Sequence, residues 1–93
     1  MERYITAHHG IDKKTLEEYS FLAECEVEND DEGVSVSTYW DINTGLGVGD
    51  TWFREMDEKA AICFKTEDEK PRAIEQAQRM LDEYTSSRNN HPL

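Results

Sequence analysis

A two-residue alternation between Tyr19 and Glu28 is the clearest pattern in the chain. Tyr19, Phe21, Ala23, Cys25 and Val27 fall on one side, and Ser20, Glu24, Glu26 and Glu28 mostly on the other. Successive side chains of a strand point to opposite faces, so this pattern predicts a half-buried β-strand. The cluster that follows, Asn29 to Gly33, is turn chemistry: Asn and Asp bond their own backbone, and glycine accepts a positive φ. Val34, Val36, Thr38 and Trp40 then alternate again. The two runs together predict a β-hairpin.

Further along, residues 51–56 (TWFREM) and 60–66 (AAICFKT) read as two more strands around a polar turn, Asp57 to Lys59. A short helix over residues 51–60 competes, because Trp52, Met56 and Ala60 also recur at helical spacing. Near the start, residues 3–7 (RYITA) offer an edge strand, and residues 12–18 (DKKTLEE) a helical turn. From Glu67 the period changes. Three acids precede Pro71, and Ile74, Ala77, Leu81 and Tyr84 form one stripe, which predicts an amphipathic helix with a favourable charge at its N-terminus. The expected fold is α+β: a small antiparallel β-meander of three to five strands, packed on one face by a C-terminal α-helix. One domain is expected over residues 1–86, with a polar tail over 87–93. The helix stripe should face Phe21, Cys25, Val36, Trp40 and Phe64.

Length limits the core. Ninety-three residues suffice for one domain with a stability of about 5 to 10 kcal/mol, too small a shell for a deep active site of the dehydrogenase or kinase type. No apolar run approaches the ~20 residues of a membrane span, and the N-terminus lacks a signal-peptide pattern. A cytoplasmic location is therefore expected, with Cys25 and Cys63 as reduced, buried thiols.

Candidate chemistry is thin. The run Asn43 to Trp52 has glycines at 45, 47 and 49, but a dinucleotide fingerprint needs another where Asp50 stands. As a calcium loop it puts Leu46 and Trp52 where a glycine and a bidentate Glu are required. The stretch is read as a turn between strands. His8 and His9 are adjacent and would face opposite sides of a strand, and His91 lies in the tail, so no zinc spacing results. Asp41 and Asp50 could face each other as an acid/base pair, an expected coincidence in so acidic a chain. No catalytic residue, metal site or cofactor is assigned.

Charge changes the picture most. Asp and Glu number 21 against 10 Lys and Arg, a net charge of −11. Such a chain would repel DNA, RNA and anionic lipid, and its natural partner is a cation or a basic protein. Moreover, residues 15–53 contain no Lys or Arg and ten acids. Glu24, Glu26 and Glu28 share a strand face, and Asp30, Asp31 and Glu32 continue the line into the turn. Same-face strand residues lie ~6.8 Å apart, about twice the ~3.4 Å phosphate spacing along one DNA strand. The six acids are the candidate partner-binding residues, forming an unbroken negative surface that a basic groove could read.

In composition and size the chain is similar to the acidic inhibitors by which phages and mobile elements disable restriction or CRISPR machinery. That group is diverse in fold and shares no motif with this chain, so the resemblance covers charge and length and assigns no residue roles. It implies a non-enzymatic protein that mimics nucleic acid and blocks a basic, nucleic-acid-handling protein. The alternatives are an interaction or immunity-type subunit whose basic partner is unrelated to nucleic acid, and a small metal binder or enzyme using Asp41, Asp50 or the histidines.

Overall fold

The computed structural model describes residues 2–48 and 56–89. Four strands, β1 (Glu2–Ile11), β2 (Glu18–Asn29), β3 (Ser35–Asp41) and β4 (Met56–Phe64), form an antiparallel sheet in the order β3-β2-β1-β4. A 3-10 turn, Glu67–Glu69, leads into one helix, α1 (Lys70–Asn89), which packs on the sheet. The α+β architecture and the β2–β3 hairpin agree with the sequence reading. The helix runs to Asn89, three residues into the segment expected to be a tail.

Two strand expectations need correction. The N-terminal strand is central, not an edge: β1 pairs with β2 on one side and β4 on the other. Ile5 to His9 are five consecutive buried residues, the mark of a strand covered on both faces. Thr6, His8 and His9 in that run hide the mark from a hydropathy reading. Asp57-Glu58-Lys59 is likewise not a turn. β4 runs straight through it, and Ala7 pairs with Ala60 while His8 pairs with Glu58. Lys59 is the extra residue of a β-bulge, which absorbs the polar insertion without ending the strand. The competing helix fails over residues 56–60, and residues 51–55 lie outside the described part of the chain.

The helix packs through small residues. Ala73 and Ala77 on α1 and Ala7 and Ala60 on the sheet are all buried in one cluster with Ile5, Leu22, Phe64 and Leu81. Phe64, Ala77 and Leu81 fit the expected packing and Ile74 is partly buried beside them, while Ala73, outside the expected stripe, is buried as well. Phe21 and Cys25 do not. Residues paired across β1 and β2 share a face, which puts Ile5 with Glu24 and Ala7 with Leu22 under the helix, and Tyr4 with Cys25 and His8 with Phe21 on the far side. Val36, also expected in the core, is 53% exposed. Period two distinguishes two faces but does not say which one receives the helix.

The far face has its own packing. His8 is fully buried, stacked on Phe21 with ring centroids 4.9 Å apart and edge-on to Tyr39 at 6.2 Å. Its Nε2 lies 2.8 Å from Thr6 Oγ1, and the Thr6 hydroxyl donates to the Ala23 carbonyl at 3.3 Å.

Two substitutions separate scaffold from surface. Leu81 is 3% exposed within the cluster, so Leu81→Ala should cost about 2 to 5 kcal/mol. Arg79, 66% exposed and 3.3 Å from Glu75, makes only a surface ion pair. Arg79→Ala should cost well under ~1 kcal/mol. Chemical denaturation of both variants checks the pair; equal costs would mean that α1 is not held by this stripe.

Candidate partner-binding surface

The six candidate acids lie along the β2–β3 hairpin, and its two ends differ. β1 pairs with β2 only as far as Glu2 opposite Val27, whereas the β2–β3 ladder continues to Asn29 opposite Ser35. Beyond Val27 the hairpin therefore has no third strand beside it among the described residues. Val34 and Val36 are exposed there.

Sequence chemistry builds the tip. The Asp30 carboxylate accepts hydrogen bonds from the backbone N–H of Glu32 (2.9 Å) and Val34 (2.8 Å), and its carbonyl accepts from Gly33 (3.0 Å). Gly33 takes φ +83°, a conformation that costs glycine little. Asn29 Oδ1 accepts from the Ser35 hydroxyl at 2.7 Å and ties the strands at the neck of the turn. Asp30 is thus a turn builder as well as a charge. Asp31 and Glu32 stand on the turn it holds, both exposed.

Glu24, Glu26 and Glu28 share one face, as the alternation implied, but the face is the one that carries the helix. Arg3, on β1, approaches all of the neighbouring acids: its guanidinium lies 2.6 Å from Glu67, 3.5 Å from Glu24 and 3.9 Å from Glu26. It also sits over the Phe64 ring at 4.6 Å. The hydrogen bond that Arg3 donates to Glu67, with the charges of Glu67 and Glu24 adding to it, holds the guanidinium above its ordinary pKa. Lys70, the first residue of α1, makes a second ion pair with Glu24. Glu24 and Glu26 are consequently only 16% and 29% exposed. The strip is not unbroken; two cations interrupt it at its inner end. Sequence reading missed them because Arg3 and Lys70 lie 21 and 46 residues from Glu24. Glu28, Asp31 and Glu32 are exposed and no described cation pairs with them.

The other candidates take up structural positions. Asp41 caps the turn after β3, accepting from the N–H of Asn43 (2.8 Å) and Thr44 (3.1 Å). Gly45 follows at φ +72°, and the chain then folds back along β3, where Val48 donates to the Tyr39 carbonyl at 2.9 Å. That is the turn expected of the glycine stretch; Gly49 and Asp50 lie outside the described residues. His8 and His9 do face opposite sides, His8 among the far-face rings and His9 against Tyr84 of α1 at 5.3 Å. Among the described residues, no three His, Cys, Asp or Glu side chains are placed to share a metal ion. No described helix is long and apolar enough to cross a membrane.

The cysteines are free, and they differ. Cys25 is buried, as expected, but Cys63 is exposed on the outer strand. Both pair with Tyr4, one from each side, so two strand spacings of about 4.8 Å separate them, beyond the reach of a disulfide. Burial pushes the Cys25 thiol up, away from the thiolate form that a nucleophile requires. Its neighbours on the same face shift likewise: the hydrogen bond to Glu2 pushes Tyr4 up to about 12, and burial pushes Tyr39 up to about 12.

No family model, curated protein or solved structure matches the chain.

Two outcomes follow from these environments. A raised phenol pKa means that folding favours the neutral ring. The stability from Tyr4 and Tyr39 should be complete below the unfolded value of about 10 and decline as pH rises from there towards about 12. Ultraviolet titration should show a late phenolate step that shrinks in Tyr39→Phe, and ionisation of every tyrosine near pH 10 would contradict it. On the acidic row, Glu28→Lys should shift stability by no more than about 0.5 kcal/mol, as a surface change does. Glu24→Lys places a cation between Arg3 and Lys70 and should lower the urea midpoint far more. Similar midpoints would mean that the Arg3–Glu24–Lys70 contacts contribute nothing.

Proposed function

We propose that this chain is a small acidic binding protein that presents the outer half of the β2–β3 hairpin to a basic, nucleic-acid-handling protein and occupies its nucleic-acid site. The observation that carries this reading is the contrast along one row of acids. At the inner end Glu24 and Glu26 are held by Arg3 and Lys70, whereas Glu28, Asp31 and Glu32 stand exposed on a hairpin with open flanks. Unrelieved like charges on neighbouring positions weaken a hairpin locally. A partner's Lys and Arg would relieve that repulsion, and the net charge of −11 would steer such a partner in from a distance.

The charge layout supports nucleic-acid mimicry in a limited way. Glu28 is the free carboxylate of the β2 row, since Glu24 and Glu26 are held by Arg3 and Lys70, and Asp31 and Glu32 add charge where the strand ends. The mimicry thus lies in a local cluster of negative charge that a phosphate-binding site could accept, and not in a repeated spacing. The Asp30 cap makes this arrangement rigid, which lowers the ordering cost of binding. On this reading Glu28, Asp31 and Glu32 make the main contacts, Asp30 shapes the turn, and Glu24 and Glu26 anchor the hairpin to the body.

Affinity capture from a host extract tests the reading. The wild-type chain should retain a basic protein, and the Glu28→Lys/Asp31→Lys/Glu32→Lys variant should lose it with an unchanged circular dichroism spectrum. Because exposed charges are screened beyond ~8 Å at physiological ionic strength, capture should fall steeply with added salt. Double-stranded nucleic acid should displace the captured protein. Displacement failing while the reversal still abolishes capture would favour a basic partner unrelated to nucleic acid. Undiminished capture by the reversed variant would remove the hairpin from consideration.

A further inference from the structure

The two outer strands of the sheet are finished differently. An outer strand turns main-chain N–H and C=O groups away from the sheet, where another strand can pair with them, and charges, prolines or bulges ordinarily prevent this. β4 carries such devices: Asp57, Glu58 and Lys59 lie on it, and Lys59 forms its bulge. On β3 the inner part is closed by the chain itself. There the Asp41 N–H donates to the Leu46 carbonyl, and the Tyr39 carbonyl accepts from Val48, both at 2.9 Å. The outer part, Ser35 to Thr38, has no charge, no proline and no shift in its register with β2.

Which groups face outward follows from the ladder. In an antiparallel pair, alternate residues bond the partner strand and those between them turn away. Tyr39 and Asp41 turn away from β2, as their bonds to Val48 and Leu46 require, whereas the Val34 carbonyl faces β2 and accepts from Asp30 at 2.9 Å. Both ends set the same phase, so the main-chain N–H and C=O of Ser35 and Ser37 point out of the sheet. Both residues are exposed, and no described backbone group meets those atoms. An extended segment presents donors and acceptors at the matching spacing, so the open edge selects a strand. Charge selects which strand. Glu28 stands opposite Val36, Asp31 and Glu32 stand on the turn that precedes β3, and none of the three pairs with a described cation. A strand added ~4.8 Å beyond β3 runs ~9.6 Å from β2, so a Lys stem laid across exposed Val36 brings its ammonium to Glu28.

We infer that the outer half of β3 takes up an extended basic segment of the partner protein as a fifth strand, bonded to the main chain at Ser35 and Ser37. Its Lys or Arg side chains on the helix side reach Glu28, and those past the end of β3 meet Asp31 and Glu32. This rests on the reading of a basic partner given above and states how that partner is held. In such strand addition the main chain supplies affinity and the side chains supply the choice of partner. Charge also selects this occupant over a second copy, since two chains of −11 each would repel.

A synthetic peptide of about nine residues alternating Lys and Thr serves as the probe. Its control is the same sequence N-methylated at every internal amide, which keeps the charge and loses the donors. In calorimetric titrations at ~0.15 M salt, the unmodified peptide should bind the full chain at least about tenfold more tightly than the control, about what two main-chain hydrogen bonds supply. Ser37→Pro removes an outward donor and leaves the β2–β3 ladder intact, since proline is tolerated on an outer strand. It should weaken binding at least about fivefold with an unchanged circular dichroism spectrum. Amide exchange at Ser35 and Ser37 should be fast in the free chain and slow in the complex. The hairpin reversal should weaken binding at least about tenfold as well. Equal binding of the two peptides, with loss in the hairpin reversal, would overturn strand addition and leave the charged hairpin standing. Binding that needs the peptide's N–H groups but survives the reversal would overturn the choice of a basic segment. Slow exchange at Ser35 and Ser37 in the free monomer, or a dimer that Ser37→Pro dissociates, would overturn the proposal by showing the edge already closed. The capture experiment reads the hairpin charges by themselves, so the two readings fail separately.

Discussion

The close contact between helix and sheet is made by alanines, and the other features of the molecule follow from it. Ala73 and Ala77 face Ala7 and Ala60, and the small side chains let the two backbones approach while Ile5, Leu22, Phe64 and Leu81 fill the space around them. Full burial of each large side chain contributes about 1.5 to 3 kcal/mol. Because three of those residues come from three different strands, the helix ties β1, β2 and β4 together in one core. It also sets Lys70 over Glu24, since the helix begins where this packing begins.

The same contact divides the acidic row by function. An alternating strand with glutamates on one side ordinarily turns them to water. Here the glutamate side is the one on which the helix lies, and the arrangement is tolerable because Arg3 and Lys70 arrive with it. A buried carboxylate without a partner would be costly, and two cations beside it offset much of that cost. Arg3 is the busiest of these groups, reaching Glu24, Glu26 and Glu67 while lying over Phe64. It ties β1 to β2 and to the entrance of α1. Past Val27 neither cation reaches, so the row changes character within two strand positions.

A sheet wider than its helix leaves a consequence at each end of the hairpin. Towards Leu22 a groove opens between α1 and the sheet, lined by Leu22, Ile42 and Ile74 and by the ion pair of Glu75 with Arg79. Towards Asp31 the hairpin extends past β1 and exposes both faces.

Local chemistry alone determined the β2–β3 hairpin, its Asn29–Gly33 turn, the glycine turn after Asp41, the C-terminal helix and the strong acidity of the hairpin. Each depends on neighbours within about one turn or one strand, where period and turn propensity act. The rest was decided by contacts between distant residues. Thr6, His8 and His9 disguised β1 as a polar edge, although their hydroxyl and rings find partners once β2 and α1 enclose them. Asp57 to Lys59 imitated a turn, because a bulge is defined by the partner strand and not by the bulged residues. Alternation could separate the Phe21 side of β2 from the Glu24 side, yet it was symmetric between them. The choice fell to Arg3, Lys70 and the alanines, which make the glutamate side the better one for a helix. For the same reason the row of acids was legible as charge, while which of them stand free and which are anchors was set only when the chain had folded.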